Sequence, residues 1–155
     1  MSGISSICYT TEAIVGNYSF HDLAVGMISR KGYQFTAKRI NAFSELVDDA
    51  APVHTNPEFA KQLGFDNTIA HGLFVQSVIS GMLGTDIPGP QSVINSLTMN
   101  MHLPVLAGQQ VDYHIEITSL TAAVSAVSLK YSGTANGKLV ISGKALCSFP
   151  KHISD

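Results

Sequence analysis

Between Asp66 and Asp86 the chain carries no Asp, Glu, Lys or Arg. Within that stretch Leu73, Phe74, Val75, Val78, Ile79, Met82 and Leu83 cover most of a helix circumference, not a single stripe. A helix that is apolar nearly all round is either buried or crosses a membrane. Gly72, Gly81, Gly84, Ser77 and Ser80 interrupt this one. Its apolar part falls short of the roughly 20 residues that span a bilayer. The pattern predicts a core helix of about fifteen residues, closed by Gly84 and Pro88 and wrapped by the strands that follow it.

After Gln91 the period changes from helical to two. Leu97, Met99 and Met101 alternate with Thr98, Asn100 and His102. Tyr113, Ile115 and Ile117 alternate with His114, Glu116 and Thr118, and Val127, Leu129 and Tyr131 with Ser128 and Lys130. Leu139 to Phe149 reads as a last strand. Half-buried antiparallel strands have this alternation. Pro104 to Gln109 and Asn136-Gly137 are turns, the second a strong hairpin signal.

Ahead of the apolar segment the elements are smaller. Gly26 to Phe35 reads as a short strand, or a strand pair turning at Lys31-Gly32. Thr36 offers an N-cap hydroxyl, and Ile40, Phe43, Leu46 and Val47 recur at helical spacing, so a helix is expected from Ala37 to about Asp48. Asn56-Pro57-Glu58 starts another, ending near Leu63. Met1 to Val15 gives no signal and is expected to be a loose arm. Small helices, one long buried helix and an antiparallel sheet, segregated along the chain, make an α+β fold in a single domain over residues 1–155.

Composition sharpens this picture at two points. Only 13% of the 155 residues are charged and 45% are hydrophobic. So little charge predicts that part of the surface is apolar and covered, most simply by a second copy of the chain. The net charge is -2 and no cluster of Lys or Arg occurs, which argues against a nucleic-acid partner. Cys8 and Cys147 are far apart and are expected to be reduced thiols of a cytoplasmic protein. No signal peptide is seen and no membrane association is expected.

The candidate chemistry lies on either side of the small helices. Asp49 and His54 stand five residues apart, on an expected loop fixed by Pro52. Such a pair can work on one water, one group taking a proton while the other delivers one. By spacing alone, the commoner meaning is a solvated helix end with a surface histidine. Ala70-His71-Gly72 adds a second feature. The first turn of the buried helix has free N–H groups and the positive end of the dipole, and Gly72 has no side chain to block a ligand. That suits a carbonyl oxygen that gains charge. His54 and His71 are not at zinc spacing and no cysteine lies near them, so neither a metal nor another cofactor is expected.

These residues carry a resemblance. Phe43 to Ala60, with Asp49, Pro52, Val53, His54 and Ala60, resembles the signature of the MaoC-like, (R)-specific enoyl-CoA hydratases. Ile69-Ala70-His71-Gly72 followed by Ser80-Gly81-Met82-Leu83-Gly84 resembles their central helix, and Leu103-Pro104-Val105 with Gly108 and Val111 the strand and turn after it. The similarity runs from about Phe20 to Pro150. It implies a hot-dog fold, a homodimer, and hydration of a trans-2-enoyl thioester to an (R)-3-hydroxyacyl thioester, or the reverse, on CoA or acyl-carrier-protein thioesters in fatty acid metabolism. It implies that Asp49 and His54 activate the water and that the Gly72 N–H binds the thioester carbonyl. His71 reads as a structural histidine or a substrate contact. Ser80, Leu83 and Leu146 are the candidate walls of the acyl site, although Leu83 and Leu146 read as well as plain core. The chain departs from the family pattern at Val47 and Asp48, where a small residue and glycine are usual, and at Ala51, where asparagine is. Asp66-Asn67-Thr68 stands where the family often has a proline. A hot-dog thioesterase and a non-catalytic acyl-thioester binder remain alternatives, the binder on the strength of Ala51.

Overall fold

The structure, a computed structural model, describes residues 16–150. The expected N-terminal arm and Cys8 lie outside them. Six antiparallel strands form one sheet: β1 (Ile28–Gln34), β2 (Val93–Leu97), β3 (Asn100–Met101), β4 (Gln110–Thr121), β5 (Ala126–Ala135) and β6 (Lys138–Ser148). Their order is β1-β4-β5-β6-β2, with β3 also on β6. The helices α1 (Ala37–Leu46), α2 (Pro52–Thr55), α3 (Pro57–Gln62) and α4 (Gly72–Thr85) all lie in the chain between β1 and β2. Those two strands are opposite edges of the sheet. The connection between them has to cross it, and α4 is the crossing.

The period-two pattern is the reason α4 is covered. Val111, Tyr113, Ile115 and Ile117 of β4 are at most 1% exposed, and Val127, Leu129, Ala145 and Cys147 of β5 and β6 also point inward. They pack with Phe74, Val75, Val78, Ile79, Met82 and Leu83. Each such side chain fully buried is worth about 1.5–3 kcal/mol. Tyr113 ties the layers together, its hydroxyl donating to the carbonyl of Val75 at 2.8 Å. Burial pushes that phenol far above its ordinary range, so it stays a donor. The Cys147 thiol is pushed up to about 11 by burial.

The α+β expectation holds, and the turn at Asn136-Gly137 is a hairpin with both residues at positive φ, 51° and 73°. Residues 28–34 form one strand, the first of the two expected forms, with no turn at Lys31-Gly32. Several details differ. On α1 the buried positions are Ile40 and Ser44, while Leu46 and Val47 are open to solvent. The stretch before β4 is split. Thr98 N–H bonds the Lys144 carbonyl and the Tyr131 hydroxyl donates to the Thr98 carbonyl, parting β2 from β3. Gly143 makes that approach possible, because a Cβ there would collide with Thr98 O and the Tyr131 ring. The two strands are also far less buried than their alternation suggests, with Val93, Ile94 and Met101 exposed.

The central helix has 14 residues and ends one residue past Gly84. It is not covered all round. Leu73, Ser77, Ser80 and Gly81 form an open stripe along it, at the spacing of one helix face. A stripe of apolar and small residues facing solvent, beside exposed edge strands, is what the sheet leaves unfinished. None of the described helices is long and apolar enough to cross a membrane.

Candidate functional site

The position of Asp49 follows from how α1 ends. Val47 is the C-cap, and Asp48 takes a left-handed conformation with φ 55°. The N–H of Asp49 then reaches back to the carbonyl of Ser44 at 3.0 Å. This is the long bond of a Schellman ending, in which the left-handed residue is usually glycine. An aspartate there tolerates the strain better than most residues. One oxygen of the Asp49 carboxylate, Oδ1, accepts the N–H of Ala51 at 3.0 Å. The other, Oδ2, is free to face the site.

The expected loop at Pro52 is a one-turn helix, because proline at its start fixes the helical φ. His54 sits on that turn, and its Nδ1 lies 2.8 Å from the carbonyl of Ile69. A carbonyl can only accept, so Nδ1 carries the proton and Nε2 is left with its lone pair. That Nε2 is 3.9 Å from Asp49 Oδ2. Asp49 remains 42% exposed and His54 13%.

His71 is the N-cap residue of α4, yet its side chain makes no cap bond. The ring turns instead to α1. Its Nε2 is 3.1 Å from Ser44 Oγ and 3.7 Å from Asp49 Oδ2. It stacks on the His54 ring at 3.7 Å between centroids and 25° between planes. Phe43 tilts against its ring at 5.1 Å. Burial pushes His71 below the ordinary histidine range, His54 adds to this, and Asp49 opposes it. The fold thus joins Asp49, His54 and His71, three residues separated in sequence.

Gly72 opens α4 and lines a cleft of about 340 Å³ with His54, Ile69, Met101, His102 and Leu103. A Cβ built at Gly72 would touch Met101 Cγ at 3.6 Å and nothing closer. Packing therefore does not require glycine at this position. A second cleft, about 420 Å³, reaches Asp49 from another side, past Asn41, Ser44, Glu45 and Asp48.

The proposed acyl walls are not brought together. Ser80 is on the open stripe of α4 and Leu83 is 1% exposed in the core. Leu146 is on the opposite face of the sheet. Its neighbours Ala145 and Cys147 point inward, so a strand's alternation turns Leu146 outward. There it lines another cleft, about 480 Å³, with Ser96, Thr118, Lys130 and Lys144. Leu146 is therefore not a wall shared with Ser80 and Leu83 in this chain. What the sequence reading missed is Ser44. Its signal was a polar residue four after Ile40, on the helix face turned to the core.

One donor atom from each of Asp49, His54 and His71 lies within 4.8 Å of the others. Sequence spacing gave no hint of this, and it is a possible metal geometry. A metal would need the Nε2 lone pair of His71. The proton would then sit on Nδ1, which is buried with no partner among the described residues. An orphaned buried N–H costs about 1–3 kcal/mol. The set is better suited to moving protons than to holding a cation.

The MaoC like domain family matches residues 24–135. The chain is 33% identical over 132 residues to the 3-hydroxybutyryl-CoA dehydratase of Methylorubrum extorquens, covering 85% of this chain and 84% of the relative. It is 32% identical over 133 residues to the (R)-specific enoyl-CoA hydratase of Aeromonas caviae, covering 85% and 99%. The solved structure of the (R)-hydratase from A. caviae involved in PHA biosynthesis superposes with a TM-score of 0.79, at 32% identity over 83% of this chain and 98% of that one. With a sheet laid round one central helix in the hot-dog manner, and a sequence matched over most of its length, the chain belongs to the MaoC-like domain family.

Proposed function

We propose that this protein is a hydro-lyase, an (R)-specific 2-enoyl-thioester hydratase that also runs in reverse as a 3-hydroxyacyl-thioester dehydratase. The observation that carries this reading is the meeting of Asp49 Oδ2 with the unprotonated Nε2 of His54, 3.9 Å apart, beside the uncapped start of α4. The names of the relatives supply the substrate class: a thioester of CoA or of acyl-carrier protein.

The chemistry follows from the placement. The thioester carbonyl points at the N–H of Gly72, where the first turn of α4 has N–H groups with no partner in the helix. A water held between Asp49 and His54 faces C3. His54 Nε2 takes a proton as the oxygen bonds to C3. The electron pair of the C2–C3 double bond moves onto the thioester oxygen, and the helix end stabilises that enolate. The enolate then collapses and C2 takes a proton back from the same pair. Elements of water are added and nothing is oxidised or reduced.

A twofold dimer is part of the proposal. Leu73 is 65% exposed on α4, and Val93, Ile94, Met101 and Leu103 are exposed on or beside the neighbouring edge strands. An unprotected edge with apolar side chains needs a partner, and a second copy is the simplest. Sedimentation at micromolar concentration tests it, and an active monomer would refute it. A cytoplasmic location fits two widely separated cysteines.

The deciding assay is crotonyl-CoA with purified protein. Loss of the enoyl absorbance without free thiol supports a hydratase. Thiol release would make the protein a thioesterase. Neither change, on this and longer enoyl thioesters, would leave the binding-module reading.

A further inference from the structure

Asp49 has two carboxylate oxygens and only one is fixed by its own turn. Ala51 gives Oδ1 its backbone N–H, and its methyl side chain can give nothing more. Oδ2 faces two imidazoles, and they are not equivalent. His54 presents a lone pair, because its proton is committed to Ile69. His71 presents a proton. Its Nδ1 is buried without a partner among the described residues, and an orphaned N–H there is worse than an orphaned lone pair. The neutral ring therefore carries its proton on Nε2, 3.1 Å from Ser44 Oγ and 3.7 Å from Asp49 Oδ2.

We infer that Ser44 and His71 form a positioning pair that holds the Asp49 carboxylate in its working orientation. Ser44 acts twice. Its carbonyl receives the main-chain N–H of Asp49, and its hydroxyl anchors the His71 ring that faces the side chain. His71 itself is wedged between Phe43 and His54. Burial first, and then the neighbouring His54, hold His71 below the ordinary histidine range, against the pull of Asp49. When His54 takes up a proton in turnover, the N–H of His71 still faces Asp49. Both members are buried, Ser44 at 7% and His71 at 5% exposed, so solvent does not replace either contact. The inference rests on the hydratase reading for its consequence in rate, but not for the contact itself.

The test pairs turnover with a readout that needs none. Ser44→Ala, Ser44→Thr and His71→Phe are assayed on crotonyl-CoA, with Ser77→Ala as a control whose hydroxyl only bonds back to Phe74. In parallel, carboxyl-carbon NMR at one fixed pH follows the chemical shift of the Asp49 side chain. The other ionisable groups that face it are His54, His71, Glu45 and Asp48. Ser44→Ala is expected to lower kcat roughly 10-fold or more with KM within about twofold, the scale of a lost hydrogen bond near a charged group. The Asp49 carboxyl signal should move from its wild-type position. Ser44→Thr keeps a hydroxyl and should recover most of both. His71→Phe keeps a flat ring and loses the N–H, so it should do at least as much damage as Ser44→Ala. An Asp49 carboxyl signal unmoved in Ser44→Ala overturns the pair, whatever the rate does. If Ser44→Ala does not fold, Ser44→Cys, nearly isosteric but a poor acceptor, replaces it under the same criteria. If wild type turns over no enoyl thioester, the hydratase reading fails, and the Asp49 carboxyl signal still decides the pair.

Discussion

Two helices of this protein begin in opposite ways. α3 starts under Asn56, whose Oδ1 accepts the N–H of Glu58 at 3.0 Å and of Phe59 at 3.1 Å. Its first residue is Pro57, which has no N–H to satisfy. α4 starts under His71, which caps nothing, and its first residue is Gly72, which keeps its N–H and lacks a side chain. The start of α3 is closed by its own sequence. The start of α4 is left unfinished at a cleft. Free N–H groups at a helix end favour negative charge in front of them. Under the proposed function, the second start is where the thioester oxygen sits.

The largest effect should appear at the two side chains in front of that open end. Asp49→Asn and His54→Ala are each expected to lower hydratase kcat by a factor on the order of 100 or more. The double variant should be little worse than the worse single, because the pair acts on one water. Near-full kcat in either folded single variant would remove that residue from the mechanism.

Substitution at the two helix starts tests the comparison directly. Gly72→Ala is expected to cut kcat/KM about 10-fold or more and leave the thermal midpoint unchanged or slightly raised, since its Cβ meets only ordinary contacts. Asn56→Ala should do the reverse, costing about 1 kcal/mol of stability with kcat kept. If Gly72→Ala lost stability and kept rate, the open end would be structural after all.

Smaller effects are expected at the edge of the site. Ala51→Asn adds an amide next to the Asp49 turn, and should raise kcat/KM on crotonyl-CoA by a factor of roughly 2–13, the worth of one neutral hydrogen bond. A loss would mean a site shaped round another substrate.

The smallest effect concerns acid. Burial lowers the His71 value in the folded chain, so the unfolded chain binds that proton first. The His71 contribution is therefore fully present above the unfolded value, about 6.5, and is lost as pH falls toward the folded value. Urea midpoints measured near pH 7.5 and 5.5 should fall further in wild type than in His71→Phe. Equal losses would show that His71 is not held neutral.

Much of this protein can be read along the chain. The apolar run at 73–83, the alternation of β4, β5 and β6, and the Asn136-Gly137 hairpin are local patterns, and they settle the element types because side-chain period follows backbone geometry. Asp49, His54 and Gly72 stood out as candidates because proline, glycine and a helix start mark where polar groups lie near free N–H groups, while their expected roles came from the family resemblance. Such patterns show which side of an element is apolar. They do not show what covers it.

Those questions only the tertiary structure decided. It left the stripe of Leu73, Ser77, Ser80 and Gly81 uncovered, where the sequence suggested a helix wrapped all round. It turned Leu146 away from α4 by the phase of β6, which one residue of register would reverse. It buried Ser44 against His71, 27 residues away. Whether a polar side chain can be buried depends on a partner, and that partner comes from another helix. The chain alone therefore determined the helix and the strands and marked Asp49 and His54 as candidates, while the packing of α1 on the start of α4 decided which side chains they meet.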